Sequence, residues 1–238
     1  VYNYQHPDIP RVEPALAPSL SSSHYVLLDE ATNSVLLSQN PDSQIYPASI
    51  TKLATALTAL NVYPLDEEIT VKDRYEEGKI MELVPGEKIT VRSLVTALLV
   101  FSANDAAYNL ARHYPEGVDG FVTQMNNLVS RYGLTHTHFV NFDGIHHPNH
   151  YSTVFDLAQL GRLSIQNPIV RQLVKTKQIT IFDIDHTHSH ELTSTNELLG
   201  VIPEVEGLKT GWTPEAGGCF IGLLNINGHY LISVIAQS

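Results

Sequence analysis

The stretch Tyr46–Leu60, YPASITKLATALTAL, reads as the start of an apolar helix. Ile50, Leu53, Ala54, Leu57 and Leu60 recur at helical spacing and form one stripe. Pro47 and Ser49 stand where a helix start places such residues. Inside the first turn, three residues after Ser49, comes a lysine, Lys52. Residues i and i+3 of a helix share a face, here at the end where free backbone N–H groups point outward. A serine hydroxyl is a weak nucleophile that needs an adjacent base. Lysine is such a base only when neutral, and its reference pKa is about 10.4, so burial or a second cation must push it down. Taken alone, this short pattern is better explained by a capping serine and a lysine whose stem snorkels to solvent.

Working outward, HYVLLDEATNSVLLSQN before it carries two apolar runs around a turn, a hairpin signal. After it, residues 62–90 read as short strands and turns. VRSLVTALLVF and NDAAYNLARHY are two helices that meet near Ser102, with Asn104 close to the second N-cap. GVDGFVTQMNNLVSRYGL is a further helix closed by Gly133, HTHFVNFDGIHHPNHY a polar loop, and STVFDLAQLGRLSI a helix opened by a Ser/Thr cap. From Gln178 strands return: QITIFDID, GLKTG, GCFIGLLNI and HYLISVIAQ, the last two joined by a hairpin turn at NING. Helices segregated between first and last strands predict an α+β fold in which those strands share one antiparallel sheet. Residues 1–20, with Pro7, Pro10, Pro14 and Pro18, read as an extended linker. The remainder, 21–238, reads as one domain.

Three short patterns change the reading of Ser49 and Lys52. S-x-x-K occurs once. K-T-G occurs once, as Lys209-Thr210-Gly211, on a candidate strand and followed by Trp212 and Thr213. S-x-N occurs as Ser38–Asn40, Ser102–Asn104 and Ser194–Asn196, and the second lies on an inter-helix tip able to reach into a cleft. Serine–lysine, S-x-N and K-T-G in that order, on a helix start, a tip and a strand, are the signature of penicillin-recognising serine enzymes.

With their flanks, MELVPGEKITVRSLVTALLVFSANDAAYNLA, FDGIHHPNHYSTVFDLAQLGR and GLKTGWTPEAGGCFIG, these motifs closely resemble the low-molecular-mass penicillin-binding proteins of the D-alanyl-D-alanine carboxypeptidase family, from about Tyr25 to Ala236. The resemblance implies a transpeptidase-like catalytic domain over 21–238, a five-stranded antiparallel sheet covered by helices with a helical lobe inserted at about 75–165, and a bacterial enzyme exported to the periplasm or the outer face of the cytoplasmic membrane. It implies a muropeptide ending in D-Ala-D-Ala as substrate and β-lactams as covalent inhibitors. Ser49 is then the nucleophile, Lys52 its base and Ser102 the proton relay to the leaving D-alanine. Asn104 orients Lys52 and the substrate backbone. Lys209 and Thr210 hold the terminal carboxylate, and the charge of Lys209 lowers the pKa of Lys52. Gly211 admits the substrate along the strand edge, Trp212 gives an oxyanion-hole N–H, and Thr213 is a further substrate-binding residue. The same residues serve D-alanyl endopeptidases of the family, and the scaffold also carries class A β-lactamases and non-catalytic penicillin sensors. Class A enzymes place a glutamate between S-x-N and K-T-G. This chain has none between Glu116 and Glu191; Asp143 lies in the corresponding loop.

Composition narrows the alternatives. The chain has 238 residues, 43% hydrophobic, enough for a large core. A net charge of −11 makes nucleic acid and anionic lipid poor partners. Peripheral membrane association is expected only through a segment not present in this chain. The single cysteine, Cys219, stands in an apolar run and reads as a buried thiol. The 12 histidines include His186, His188 and His190, which read as a polar hairpin; the serine–lysine chemistry needs no metal and no cofactor.

Overall fold

A computed structural model describes residues 19–238; the expected linker lies, except for its last two residues, outside the described residues. Strand β1 (His24–Asp29) turns into β2 (Val35–Gln39), a 3-10 turn (Ala48–Thr51) leads into α1 (Lys52–Val62), and β3 (Glu68–Thr70) pairs with β4 (Lys88–Thr90). Helices α2 (Val91–Val100), α3 (Asn104–His113), α4 (Gly117–Arg131) and α5 (Val154–Gln166) follow, then a short α6 (Pro168–Leu173) that the sequence pattern did not announce. The chain closes with β5 (Gln178–Phe182), β6 (Ser189–Thr193), β7 (Val205–Thr213), β8 (Gly217–Ile226) and β9 (His229–Ala236).

Five strands form one antiparallel sheet in the order β2-β1-β9-β8-β7. First and last strands pair as expected, with Tyr25 opposite Ile235 and Leu27 opposite Ser233. Because β1 is matched to the end of the chain, the sheet closes only after everything between has folded back, and β7, carrying Lys209-Thr210-Gly211, is left at an edge. The β5 to β8 stretch does not form one sheet: β5 and β6 make a separate hairpin.

The helices explain themselves locally. Thr90 caps α2 by accepting the Ser93 N–H at 3.1 Å, and Thr153 caps α5 through the Asp156 N–H at 3.0 Å. Helix α1 is buried around its whole circumference from Lys52 to Ala59 rather than along one stripe. Its short residues, Ala54, Thr55, Ala56, Thr58 and Ala59, let neighbours close on every side, which makes it the central helix of the domain. Among the described residues, no helix is long and apolar enough to cross a membrane.

Helix α5 packs on the sheet through Gly161, where a Cβ would stand 3.2 Å from both Ile221 and Leu208. Gly161→Leu should therefore push α5 off the sheet and lower stability by about 1–3 kcal/mol, read as a lower urea midpoint with an unchanged slope.

Candidate active site

Ser49 does not lie in the first α-helical turn. It sits in the 3-10 turn before α1, with no side-chain cap bond at the start of either element. Its hydroxyl is thus free of backbone duty. Two glycines let other backbones reach it. A Cβ on Gly211 would stand 2.9 Å from the Ser49 nitrogen, so only glycine allows β7 to lie this close. A Cβ on Gly144, whose φ is +89°, would collide with the Ala48 carbonyl. Ala48 itself takes a φ of +47°, a left-handed conformation unusual for alanine.

Lys52 Nζ lies 2.9 Å from Ser49 Oγ and donates to the Asp143 carbonyl oxygen at 2.7 Å. The side chain is wholly buried. Burial pushes its pKa down to about 8, against the pull of the Asp143 carboxylate, which raises it. A neutral amine has two N–H groups and one lone pair; with one N–H on Asp143, the lone pair can face the serine proton.

A second serine–lysine pair faces the first. Lys209, 1% exposed, donates to Ser102 Oγ at 2.8 Å and to the Thr210 carbonyl at 2.9 Å. Its pKa falls well below the ordinary lysine value, mainly through burial, then through repulsion from Lys52 and Lys79. This differs from the expectation in two respects. Lys209 is not an open ammonium facing the cleft but a buried partner of Ser102. The repulsion between the lysines bears on Lys209, whereas burial is what lowers Lys52. Ser102 holds φ at +68°, a strained tip conformation that turns its hydroxyl to Lys209.

Asn104 also departs from expectation. It is the first residue of α3, and its side-chain amide donates to the Glu77 carbonyl at 2.9 Å rather than to Lys52. Its own N–H donates to the Lys79 carbonyl at 2.7 Å. Asn104 thus clamps residues 77–79, and a Cβ on Gly78 would strike its amide nitrogen. The neighbouring Asp105, buried, accepts the N–H groups of Met81 and Leu83, each at 3.0 Å. Together they hold the segment 75–87 as a flap beside the site.

Thr210 donates its hydroxyl to Thr195 at 2.6 Å, which brings the third S-x-N stretch to the sheet edge. Trp212 is 68% exposed, so its ring does not pack on the strand. Thr213 Oγ1 accepts the Ala216 N–H at 3.1 Å and serves the β7–β8 turn.

Sequence reasoning missed Tyr75 and His150. The Tyr75 hydroxyl donates to Asp143 Oδ2 at 2.6 Å, and its ring stacks on Tyr108 at 4.9 Å. His150 is buried and bonds Thr51 at 2.8 Å while accepting the Val140 N–H on Nδ1. Burial depresses its pKa to about 3, so it stays neutral and braces the turn that carries Ser49. Neither residue has a spacing signature, since both act across the fold. His146 packs edge-on against Tyr46. The histidines of the hairpin separate: His186 stacks near Phe182, His188 bonds Asp183, and His190 joins Glu87 at 2.7 Å and the Met81 carbonyl at 2.9 Å. Cys219 is buried and its thiol pushed up to about 11.

Paired serines and lysines between a central helix, a helical tip and a glycine-bearing sheet edge define a serine acyl-transfer enzyme of the penicillin-recognising class. Comparison with known proteins narrows this. A family model described as D-alanyl-D-alanine carboxypeptidase matches residues 11–238, and the chain belongs to that family. A D-alanyl-D-alanine carboxypeptidase of Streptomyces sp. (strain K15) is 30% identical over 239 residues, covering 93% of this chain and 82% of the relative. The D-alanyl-D-alanine endopeptidase of Pseudomonas aeruginosa is 33% identical, covering 92% of this chain and 72% of the relative. The chain spans 57% of the length of the Escherichia coli carboxypeptidase DacC, at 30% identity. The crystal structure of the Streptomyces K15 DD-transpeptidase superposes with a TM-score of 0.88 at 30% identity, covering 93% of this chain and 91% of that one.

Because a base must be neutral to act, acylation by penicillin should rise with pH through the Lys52 pKa, near 8. Asp143→Asn removes the charge that raises this pKa, so the rising limb should move to lower pH. A limb that stayed in place or moved upward in labelling rates would refute the electrostatic account.

Proposed function

We propose that this protein is a serine-type D-alanyl-D-alanine carboxypeptidase acting on peptidoglycan stem peptides through an acyl-enzyme on Ser49. The observation that carries the reading is the 2.9 Å approach of a buried, pKa-lowered Lys52 amine to Ser49 Oγ. Lys52 takes the hydroxyl proton as Ser49 attacks the penultimate D-alanine carbonyl. The N–H groups of Ser49 and Trp212 hold the developing oxyanion, one such donor being worth ~3 kcal/mol. Ser102, backed by Lys209, passes a proton to the departing amine. Thr210 stands on the sheet edge with its hydroxyl on that of Thr195, and on this reading the pair takes the terminal carboxylate. The peptide lies along the free edge of β7 as an added strand. Water then releases the acyl group.

Hydrogen bonds already made to both its oxygens weaken the Asp143 carboxylate as the deacylating base of a β-lactamase. One oxygen accepts the Tyr75 hydroxyl and the other the Ile145 N–H at 3.2 Å. A β-lactam adduct should therefore persist. On this reading the substrate lies outside the cytoplasmic membrane, and so does the site of action, in the periplasm or on the outer face of the cytoplasmic membrane.

Ser49→Ala should abolish covalent labelling by a fluorescent penicillin and D-alanine release from diacetyl-Lys-D-Ala-D-Ala together. A labelled band surviving on that variant would assign the nucleophile elsewhere.

A further inference from the structure

The flap opens on the charged run DRYEEGK, residues 73–79, in which Tyr75 alone is drawn inward while its neighbours stay exposed. Its ring stacks on Tyr108 of α3 at 4.9 Å and meets Phe142 edge-on at 5.6 Å. Held by these two rings, the phenol donates to Asp143 Oδ2 at 2.6 Å, in the short range of a hydrogen bond to an ionised acceptor. Burial, then the bond to Asp143, raise the phenol's pKa far above its ordinary value, and Glu77 on the same segment pushes the same way. Tyr75 therefore stays a donor throughout the range in which Lys52 titrates.

Asp143 meets the catalytic base in two ways. Its backbone carbonyl accepts the Lys52 N–H at 2.7 Å, and its carboxylate is the anion whose pull raises the Lys52 pKa. Two other ionisable groups interact with that amine from neighbouring segments. Lys209 on β7 has a pKa well below the ordinary lysine value, and His150 in the loop after α4 stays neutral. The field that holds a proton on Lys52 thus depends on how much charge the Asp143 carboxylate presents. An O–H dipole with its positive end on that carboxylate cancels part of its field.

We propose that Tyr75 is a positioning residue for acylation that acts through Asp143: its hydroxyl takes up part of the carboxylate's charge and so favours the unprotonated Lys52 amine that Ser49 needs. The inference rests on the acyl-enzyme reading of Ser49. Tyr75 itself touches neither the serine nor the lysine; its effect reaches the reaction as basicity.

The test follows the second-order rate of penicillin labelling against pH. Tyr75→Phe keeps the ring and loses the hydroxyl. Its rising limb should move up by about 0.5 pH unit, lowering labelling at pH 7 about threefold while the plateau above the limb stays within about twofold of wild type. This shift is opposite in sign to that of Asp143→Asn. In the Asp143→Asn background, where there is no charge left to take up, Tyr75→Phe should leave the limb in place. Tyr75→Met, which fills the same gap with a flexible apolar chain, should act as Tyr75→Phe does. If one of the two takes no label at any pH, the other decides. A limb that stays in place or moves down in the single variants overturns the proposal, as does an equal upward shift in the Asp143→Asn background. Loss of labelling at every pH by both variants also overturns it, and makes Tyr75 a structural brace. A wild-type chain that takes no label overturns instead the reading of Ser49.

Discussion

The structure depends on keeping the Lys52 amine out of water. An unpaired ammonium in an apolar interior is too costly to persist and instead sheds its proton. Helix α1 supplies that interior because it is buried on all sides, and the Asp143 carbonyl takes the one N–H that fixes the amine's direction. What remains is a lone pair 2.9 Å from a serine. Lys209 occupies a second buried position in the same region and is held down partly by Lys52. A charge on Lys52 therefore makes protonating Lys209 harder.

Around this pair the backbone is bent against its local preferences. Ala48 and Ser102 both adopt left-handed φ values without being glycine, and Gly144 and Gly211 lack the Cβ that would collide with the nucleophile's turn. Such conformations persist only where surrounding packing over-determines them. Here β7 is fixed by an unbroken ladder to β8 from Gly207 to Thr213, while Asn104 and Asp105 tie the start of α3 to the flap. Rigid elements on three sides thus hold the reacting groups in place before substrate arrives, which is how positioning contributes to rate.

The flap is the least self-sufficient part of this frame. Between Tyr75 and Glu87 it has no regular secondary structure, and side chains from elsewhere satisfy its backbone. His190 joins in from the hairpin, with one ring nitrogen on the Met81 carbonyl and the other on Glu87. The Tyr75 hydroxyl connects the flap to Asp143, and through it to the Lys52 amine. Flap, hairpin and catalytic base are therefore linked through a few hydrogen bonds.

The sequence alone determined the elements and the chemistry carried by contiguous residues. Helical spacing gave α1, apolar runs gave β7 to β9, S-x-x-K gave the Ser49–Lys52 pair, and S-x-N and K-T-G gave Ser102 and Lys209 as site residues without their pairing, because periodicity and short motifs record interactions within a few residues. The fold decided what spacing cannot encode. It set Lys209 on Ser102 rather than open to the cleft, turned Asn104 to the flap, and brought in Tyr75, Thr195 and His150 from 68, 15 and 99 residues away from their partners. Their roles arise only when distant segments are packed together, and the degree to which an amine is buried, which sets its proton affinity, is a property of that packing and not of any local run of residues.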